Sequence, residues 1–262
     1  MSLPMQATKE REDVMRGADT AFPVTSALIQ SATAILTEAP AFWGRYFTSP
    51  QTSGDVEYRH ALEDAILAIS GIRVLPIARQ TNHVGGTAAT GQADGAANGF
   101  DLLKTFGEKY LADQCGSVMI FLDVEGSGPS HLSTDYYTGW CAGLAAASSV
   151  VGFTPCVYGI PGDAVTWTAL ARAIAAGAPC GGLWLARPLL GVTEPQAWRT
   201  DIVPSIEPGA PVLLWQYAFP IKGGVQIDRD LANPGIDAEA DLLAHLVPPP
   251  GFVAPGAPSQ QS

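Results

Sequence analysis

Charge is scarce in this sequence. Charged residues make up 15% of the 262 residues and apolar residues 47%, whereas an average soluble domain is about 25% charged. Such a chain encloses a large interior behind a sparsely charged surface. Positive charge is scarcer still, with 14 basic residues against 25 acidic ones and a formal net charge of −11. A surface of that sign repels phosphate backbones, which excludes nucleic acid as a partner. No run approaches the ~20 consecutive apolar residues that span a bilayer. The opening MSLPMQATKEREDVMRG lacks an apolar core of leader length. Neither a membrane span nor an export signal is visible, which leaves the location open between the cytoplasm and export by another route.

Metal and redox motifs are missing as well. Cys115, Cys141, Cys156 and Cys180 fall in separate predicted elements without a CxxC pair and read as buried free thiols. His60, His83, His131 and His245 show no HExxH spacing, so neither a metal site nor a cofactor is expected. His83 and His131 fall in loops where they could border a pocket. No solenoid-type repeat occurs, and nothing in the sequence sets the oligomeric state.

What is present is an alternation of short apolar runs with helical stretches, the signature of a sheet of parallel strands wrapped by helices. Predicted strands are GADTA (17–21), FWGRYF (42–47), RVLPIAR (73–79), VMIFLDVE (118–125), TPCVYGI (154–160), GGLWLAR (181–187), VLLWQYAF (212–219) and GVQIDRD (224–230). Predicted helices cover 24–36, 56–70, 93–111, 133–150 and 163–176. In the second of these, Ala61, Leu62, Ala65, Ile66 and Ile69 fall on one face. Residues 81–91 read as an extended rim loop. Past Arg187 no full-length helix is predicted, so the fold class is an α/β, TIM-type (β/α) barrel with reduced or missing helices after the later strands. One domain of about 250 residues suits that architecture. It divides into an N-terminal extension (1–16), the barrel (17–246) and a Pro-rich flexible tail (247–262).

Side chains alternate between the faces of a strand. In 118–125 this puts Met119, Phe121, Asp123 and Glu125 inside, and Val118, Ile120, Leu122 and Val124 against the outer helices. Asp123 and Glu125 then enter the mouth of the barrel, where barrel enzymes keep their sites, with Cα atoms about 6.6 Å apart. Close acids do not ionise independently, which sets a proton donor beside an anion. Glycosidic cleavage needs such a pair. An acid ending a strand also serves as a cap or a loop anchor, but two in-facing acids followed by GSGPS (126–130) favour function. Asp19 and Asp228 end the first predicted strand and lie in the last, at equivalent positions.

These landmarks carry a resemblance. GADT, DVE after an apolar strand, VYG, LWLA and LWQY followed by a VxID-type strand are similar, in order and context, to family 25 glycoside hydrolases, the lysozyme-type muramidases. GADTAFPVT, the pair Arg45 and Tyr46, and TDYYTGW (134–140) bring the likeness closer to the related glycoside-hydrolase-like domain of unknown function 1906. It spans 17–233. The resemblance implies a barrel lacking some outer helices and hydrolysis of the β-1,4 bond between N-acetylmuramic acid and N-acetylglucosamine. Carried over by position, it implies Glu125 as general acid, Asp123 as its anionic partner, and Asp19 and Asp228 as further acids of the pocket. Trp215, Gln216 and Tyr217 fall where that family builds its sugar-facing wall. Arg45 and Tyr46 belong to the relatives of unknown function, and Arg45 is placed to neutralise one of the acids.

Tyr158, Trp184, Trp43 and the residues just named are the candidates for contact with a glycan; each also reads as core. Two functions stay open: a glycoside hydrolase acting on peptidoglycan or a related amino-sugar polymer, and a non-catalytic carbohydrate-binding barrel. An amidase lacks a visible nucleophile triad or metal set. Four acids in one mouth favour the enzyme, because a binder gains little from their mutual repulsion.

Overall fold

A computed structural model of the chain describes residues 14–47, 57–58, 60–79, 82–125, 131–220 and 224–254. Eight strands close into one barrel in chain order. They are β1 (Arg16–Asp19), β2 (Phe42–Phe47), β3 (Arg73–Ala78), β4 (Ser117–Val124), β5 (Gly152–Gly159), β6 (Leu183–Ala186), β7 (Val212–Ala218) and β8 (Asp228–Ala232). Outer helices follow the first five strands: α1 (Ser26–Leu36), α2 (His60–Ile69), α3 (Ala88–Phe106) with α4 (Glu108–Gln114), α5 (Thr134–Ala147) and α6 (Ala164–Ala175). Among the described residues no helix separates β6 from β7 or β7 from β8. This is the TIM-type barrel with missing late helices that the sequence predicts.

The barrel is not wholly parallel. β8 runs antiparallel to both β7 and β1. Only residues 219–227 connect it to β7, fewer than the dozen or so that a parallel crossover needs. The reversal matters for the site, because it brings the first residue of β8, Asp228, opposite the last residue of β1, Asp19.

Two apolar layers follow from strand alternation. Val118, Ile120, Leu122 and Val124 pack with the helices, while Met119 and Phe121 join Phe42, Leu75, Ile77 and Trp184 inside the barrel. Leu242, Leu243 and Leu246 enter that inner cluster from a π-helical turn (Ala238–Leu242) and the 3-10 turn after it (Leu243–His245). α3 and α5 lie backbone to backbone. A Cβ at Gly91 or Gly95 would collide with the carbonyl oxygen of Tyr136 or Trp140, and one at Gly139 or Gly143 with that of Ala88 or Gln92.

Several boundaries differ from the sequence reading. The rim loop is shorter than 81–91, because the Thr87 side chain accepts from Thr90 N–H and starts α3 at Ala88. The helix read as 93–111 is two helices, broken at Gly107, whose φ of 87° is a conformation that glycine alone adopts freely. The last strand begins at Asp228 and not at 224. The predicted face of α2 is wrong. Leu62 and Ile69 are 61% and 81% exposed, and the buried positions are Glu63, Leu67 and Ala68. Glu63 turns the helix inward to meet a buried cation on β2.

The terminal boundaries also move. Residues 1–13 lie outside the described residues, but Val14 is buried, the Met15 carbonyl accepts from Ala232 N–H, and Arg16 opens β1. The tail expected to be free from Val247 is docked over its described part. Val247 exchanges both backbone hydrogen bonds with Val74 (2.8 and 3.0 Å), and Tyr110 donates to the Pro248 carbonyl (2.6 Å). The Arg73 guanidinium lies 5.0 Å from the Phe252 ring centroid. Val247 closes an open edge at β3, and apolar burial of Pro248 and Pro249 holds it there.

Candidate functional site

The ends of β1 to β7, with the start of β8, surround an open pocket of about 480 Å³. Asp19, Glu125 and Asp228 line it together with Tyr46, Tyr158, Trp184 and Gln216. Asp123 is buried below Glu125, 3% exposed, and its charge acts on the hydroxyls of Tyr46 and Tyr158. Three of the four predicted acids therefore line one mouth, and Asp123 lies buried near it. Glu125 stands just past the end of β4 and is exposed, while GSGPS (126–130) lies outside the described residues.

Gln216 ties the floor together. Its Nε2 donates to Asp19 Oδ2 at 2.9 Å and its Oε1 accepts from the Tyr158 hydroxyl at 2.8 Å. Tyr158 meets Trp184 edge to face, with centroids 4.9 Å apart. Gly44 on β2 makes room for this floor, since a Cβ there would stand 2.6 Å from Asp19 Cβ and 3.2 Å from Trp184 Cη2.

One functional residue goes unnoticed in the sequence. Asp230 is fully buried beneath the pocket and accepts from Trp184 Nε1 at 3.1 Å. The signal that finds it is the alternation already used for Asp123 and Glu125: in Asp228-Arg229-Asp230 the two acids share a face. Burial lifts the Asp19 carboxyl to about 6 against the opposing effect of Gln216. Burial, then the neighbouring Asp19, raises Asp228 to about 9. Burial, then Asp19 and Asp228, pushes Asp230 well above the usual carboxylate range. Burial and mutual repulsion thus hold all three carboxyls above the usual carboxylate range, Asp228 further than Asp19. Burial and the surrounding acids likewise keep Tyr46 and Tyr158 as neutral hydrogen-bond donors.

Four predicted contacts are not in the pocket. Arg45, between inward Gly44 and Tyr46, points outward and is buried. Its Nε donates to Glu63 Oε2 at 2.7 Å and its Nη1 to the Thr20 carbonyl at 2.8 Å, so it pairs with Glu63 outside the mouth, while its charge still lowers the Asp19 carboxyl. Trp215 and Tyr217 flank inward Gln216 and therefore face the outer layer, as does Trp43. Trp215 packs edge-on against Trp198 and donates to the Arg187 carbonyl at 3.0 Å, and the Arg229 guanidinium lies over Tyr217.

The two loop histidines pair elsewhere. His83 meets buried Asp94 and His131 meets Asp163, both at 2.9 Å, and neither lines the acidic pocket. Among the described residues no group of three or more His, Cys, Asp or Glu is disposed to hold a metal ion, and no helix is long and apolar enough to cross a membrane.

The opening continues to both sides. Ile160, Ala186 and Pro188 are shared with a second depression, and Phe219 with a third of about 310 Å³. Ile160 and Phe219 are 43% and 50% exposed. Apolar side chains left open along a cleft mark binding surfaces.

Among solved structures, the chain is similar to an uncharacterized B. stearothermophilus protein, with 24% identity over 88% of this chain and 99% of that one and a TM-score of 0.68. It is also similar to a muramidase from Acremonium alcalophilum, with 16% identity over 88% of this chain and 99% of that one and a TM-score of 0.53. At these identities the likeness establishes the barrel fold. No protein-family model matches the chain, and no curated protein does.

Proposed function

We propose that the chain is a glycoside hydrolase-like protein that cleaves β-1,4 bonds in peptidoglycan or a related amino-sugar polymer. The observation that carries this reading is the gathering of Asp19, Glu125 and Asp228 with Tyr46, Tyr158 and Trp184 around one open mouth, with Asp123 buried close enough for its charge to reach Tyr46 and Tyr158. In this reading Glu125, exposed on the rim, protonates the leaving oxygen. Asp123, on the same face of β4, supplies the negative charge that an oxocarbenium-like centre requires. Tyr46 donates to a sugar hydroxyl, Tyr158, whose proton is held by Gln216, accepts from one, and Trp184 forms an apolar floor on which a ring rests. Asp19 and Gln216 hold Tyr158 in place. The muramidase with the same fold is consistent with this chemistry.

The carbohydrate-binding alternative keeps one specific support. Repulsion among ionised acids spoke against a binder, but burial favours the protonated forms of Asp228 and Asp230, which relieves that repulsion. Substitution separates the two readings. Glu125→Gln keeps shape and removes the transferable proton, so turnover on peptidoglycan or chitooligosaccharide is expected to fall by about 10²–10⁴ with binding retained. Asp123→Asn is expected to impair turnover as well. A wild type that binds such glycans without cleaving them from acid to neutral pH, with both variants binding equally, identifies a recognition site instead.

A further inference from the structure

Beside the acidic pocket lies a second depression of about 450 Å³. Pro161 and Gly162, after β5, form one bank; Arg187, Val203 and Ser205, after β6, form the other. Its wall of Ile160, Ala186 and Pro188 is also the wall of the acidic pocket, so a polymer lying in one runs on into the other.

The two cavities differ in sign. Arg187 Nη1 donates to the Asp201 carbonyl at 3.0 Å and to its carboxylate at 3.1 Å. Arg199 holds the same carboxylate through Nε and Nη2 at 2.9 and 2.7 Å. Two guanidiniums on one carboxylate leave a positive charge at this spot, in a chain whose net charge is −11. Among the described residues Arg187 meets Asp201 through Nη1 alone, and its side chain is 46% exposed. An exposed pair of this kind contributes little to stability. The backbone beneath it is fixed, because the Arg187 N–H donates to the Gln216 carbonyl at 3.1 Å and its carbonyl accepts from Trp215. A planar guanidinium so held matches the paired oxygens of a carboxylate.

We infer that this depression is an anion subsite, in which Arg187 receives a carboxylate of the glycan whose backbone crosses the acidic pocket. The inference rests on the amino-sugar reading above and narrows the substrate to a polymer with anionic substituents. It also sets the register, since a carboxylate is repelled by the acidic mouth and attracted one cavity away. In peptidoglycan the group belongs either to the lactyl ether of muramic acid or to the attached peptide, and both present the same pair of oxygens.

Three glycans of equal length test this: one with free lactyl carboxylates, one with those carboxylates extended by peptides, and a neutral chitooligosaccharide. The quantity to read is the ratio of kcat/KM on each anionic glycan to that on the neutral one, for the wild type, Arg187→Gln and Arg187→Lys. The ratio is expected to exceed one in the wild type and to fall about tenfold through KM in Arg187→Gln, the loss of one charge-assisted hydrogen bond. Arg187→Lys, which keeps the charge but loses the planar fork, should recover only part of it. The anionic glycan that responds identifies the source of the carboxylate. An unchanged ratio in Arg187→Gln, or an equal fall on all three glycans, overturns the subsite while leaving the hydrolase reading intact. A wild type that neither binds nor cleaves any of the three removes the hydrolase reading and the subsite with it.

Discussion

Asp19, Asp228 and Asp230 ionise less readily than free carboxyls because three carboxyls cannot all ionise in one buried cleft. In the unfolded chain each would ionise near 3.8, but in the folded chain Asp19 does so near 6 and Asp228 near 9. Between the unfolded and folded values the native state binds more protons, so its stability falls as pH rises through that window. The thermal midpoint is expected to decline from about pH 4 to about pH 9, the span set by these two groups. Asp228→Asn should flatten the decline and stabilise the protein above neutral pH by on the order of 1 kcal/mol or more. A midpoint that rises across the window, or an unchanged slope in the variant, contradicts this origin. The acids were legible in the sequence because strand alternation assigns each of them a face. The same rule separates Arg45 from Tyr46 and Gln216 from its neighbours Trp215 and Tyr217. Reading those short motifs as continuous walls ignored it, and Trp43, Arg45, Trp215 and Tyr217 were misplaced as a result.

At the scale of elements, strands were easier to read than helix faces. β2 and most of the other strands fall within a few residues of their predicted spans, because apolar runs buried on both sides announce themselves. The face of α2 was not legible. Its apolar residues lie on both sides, and the side that packs is chosen by the Arg45–Glu63 pair, a contact between residues 18 positions apart that periodicity cannot register. The contact between α3 and α5 was also hidden, since glycine has no hydropathy signal. Its backbone approach makes a sharp prediction. Gly95→Ala raises intrinsic helix propensity by up to about 1 kcal/mol, but the new methyl meets the Trp140 carbonyl and overpacking against backbone costs about 1–3 kcal/mol. Net destabilisation is expected in urea unfolding, with no such loss in Gly116→Ala, where nothing lies within 4 Å. Equal stabilities of the two variants would show that the helices can move apart freely.

For the whole molecule, closure of the barrel by an antiparallel β8 is what makes the site. It sets Asp228 opposite Asp19 and carries Asp230 beneath both, so acids from two chain ends more than 200 residues apart meet β4 across one mouth. The depressions on either side extend that mouth into a cleft fit for a polymer. Hydrolysis is the claim on which the rest depends, and the release of new reducing ends from purified peptidoglycan measures it most directly. Wild-type protein from acid to neutral pH is expected to release them in proportion to its concentration, and Glu125→Gln to release almost none while still sedimenting with the polymer. Peptidoglycan that binds the wild type and yields no reducing ends at any of these pH values contradicts catalysis by this mouth.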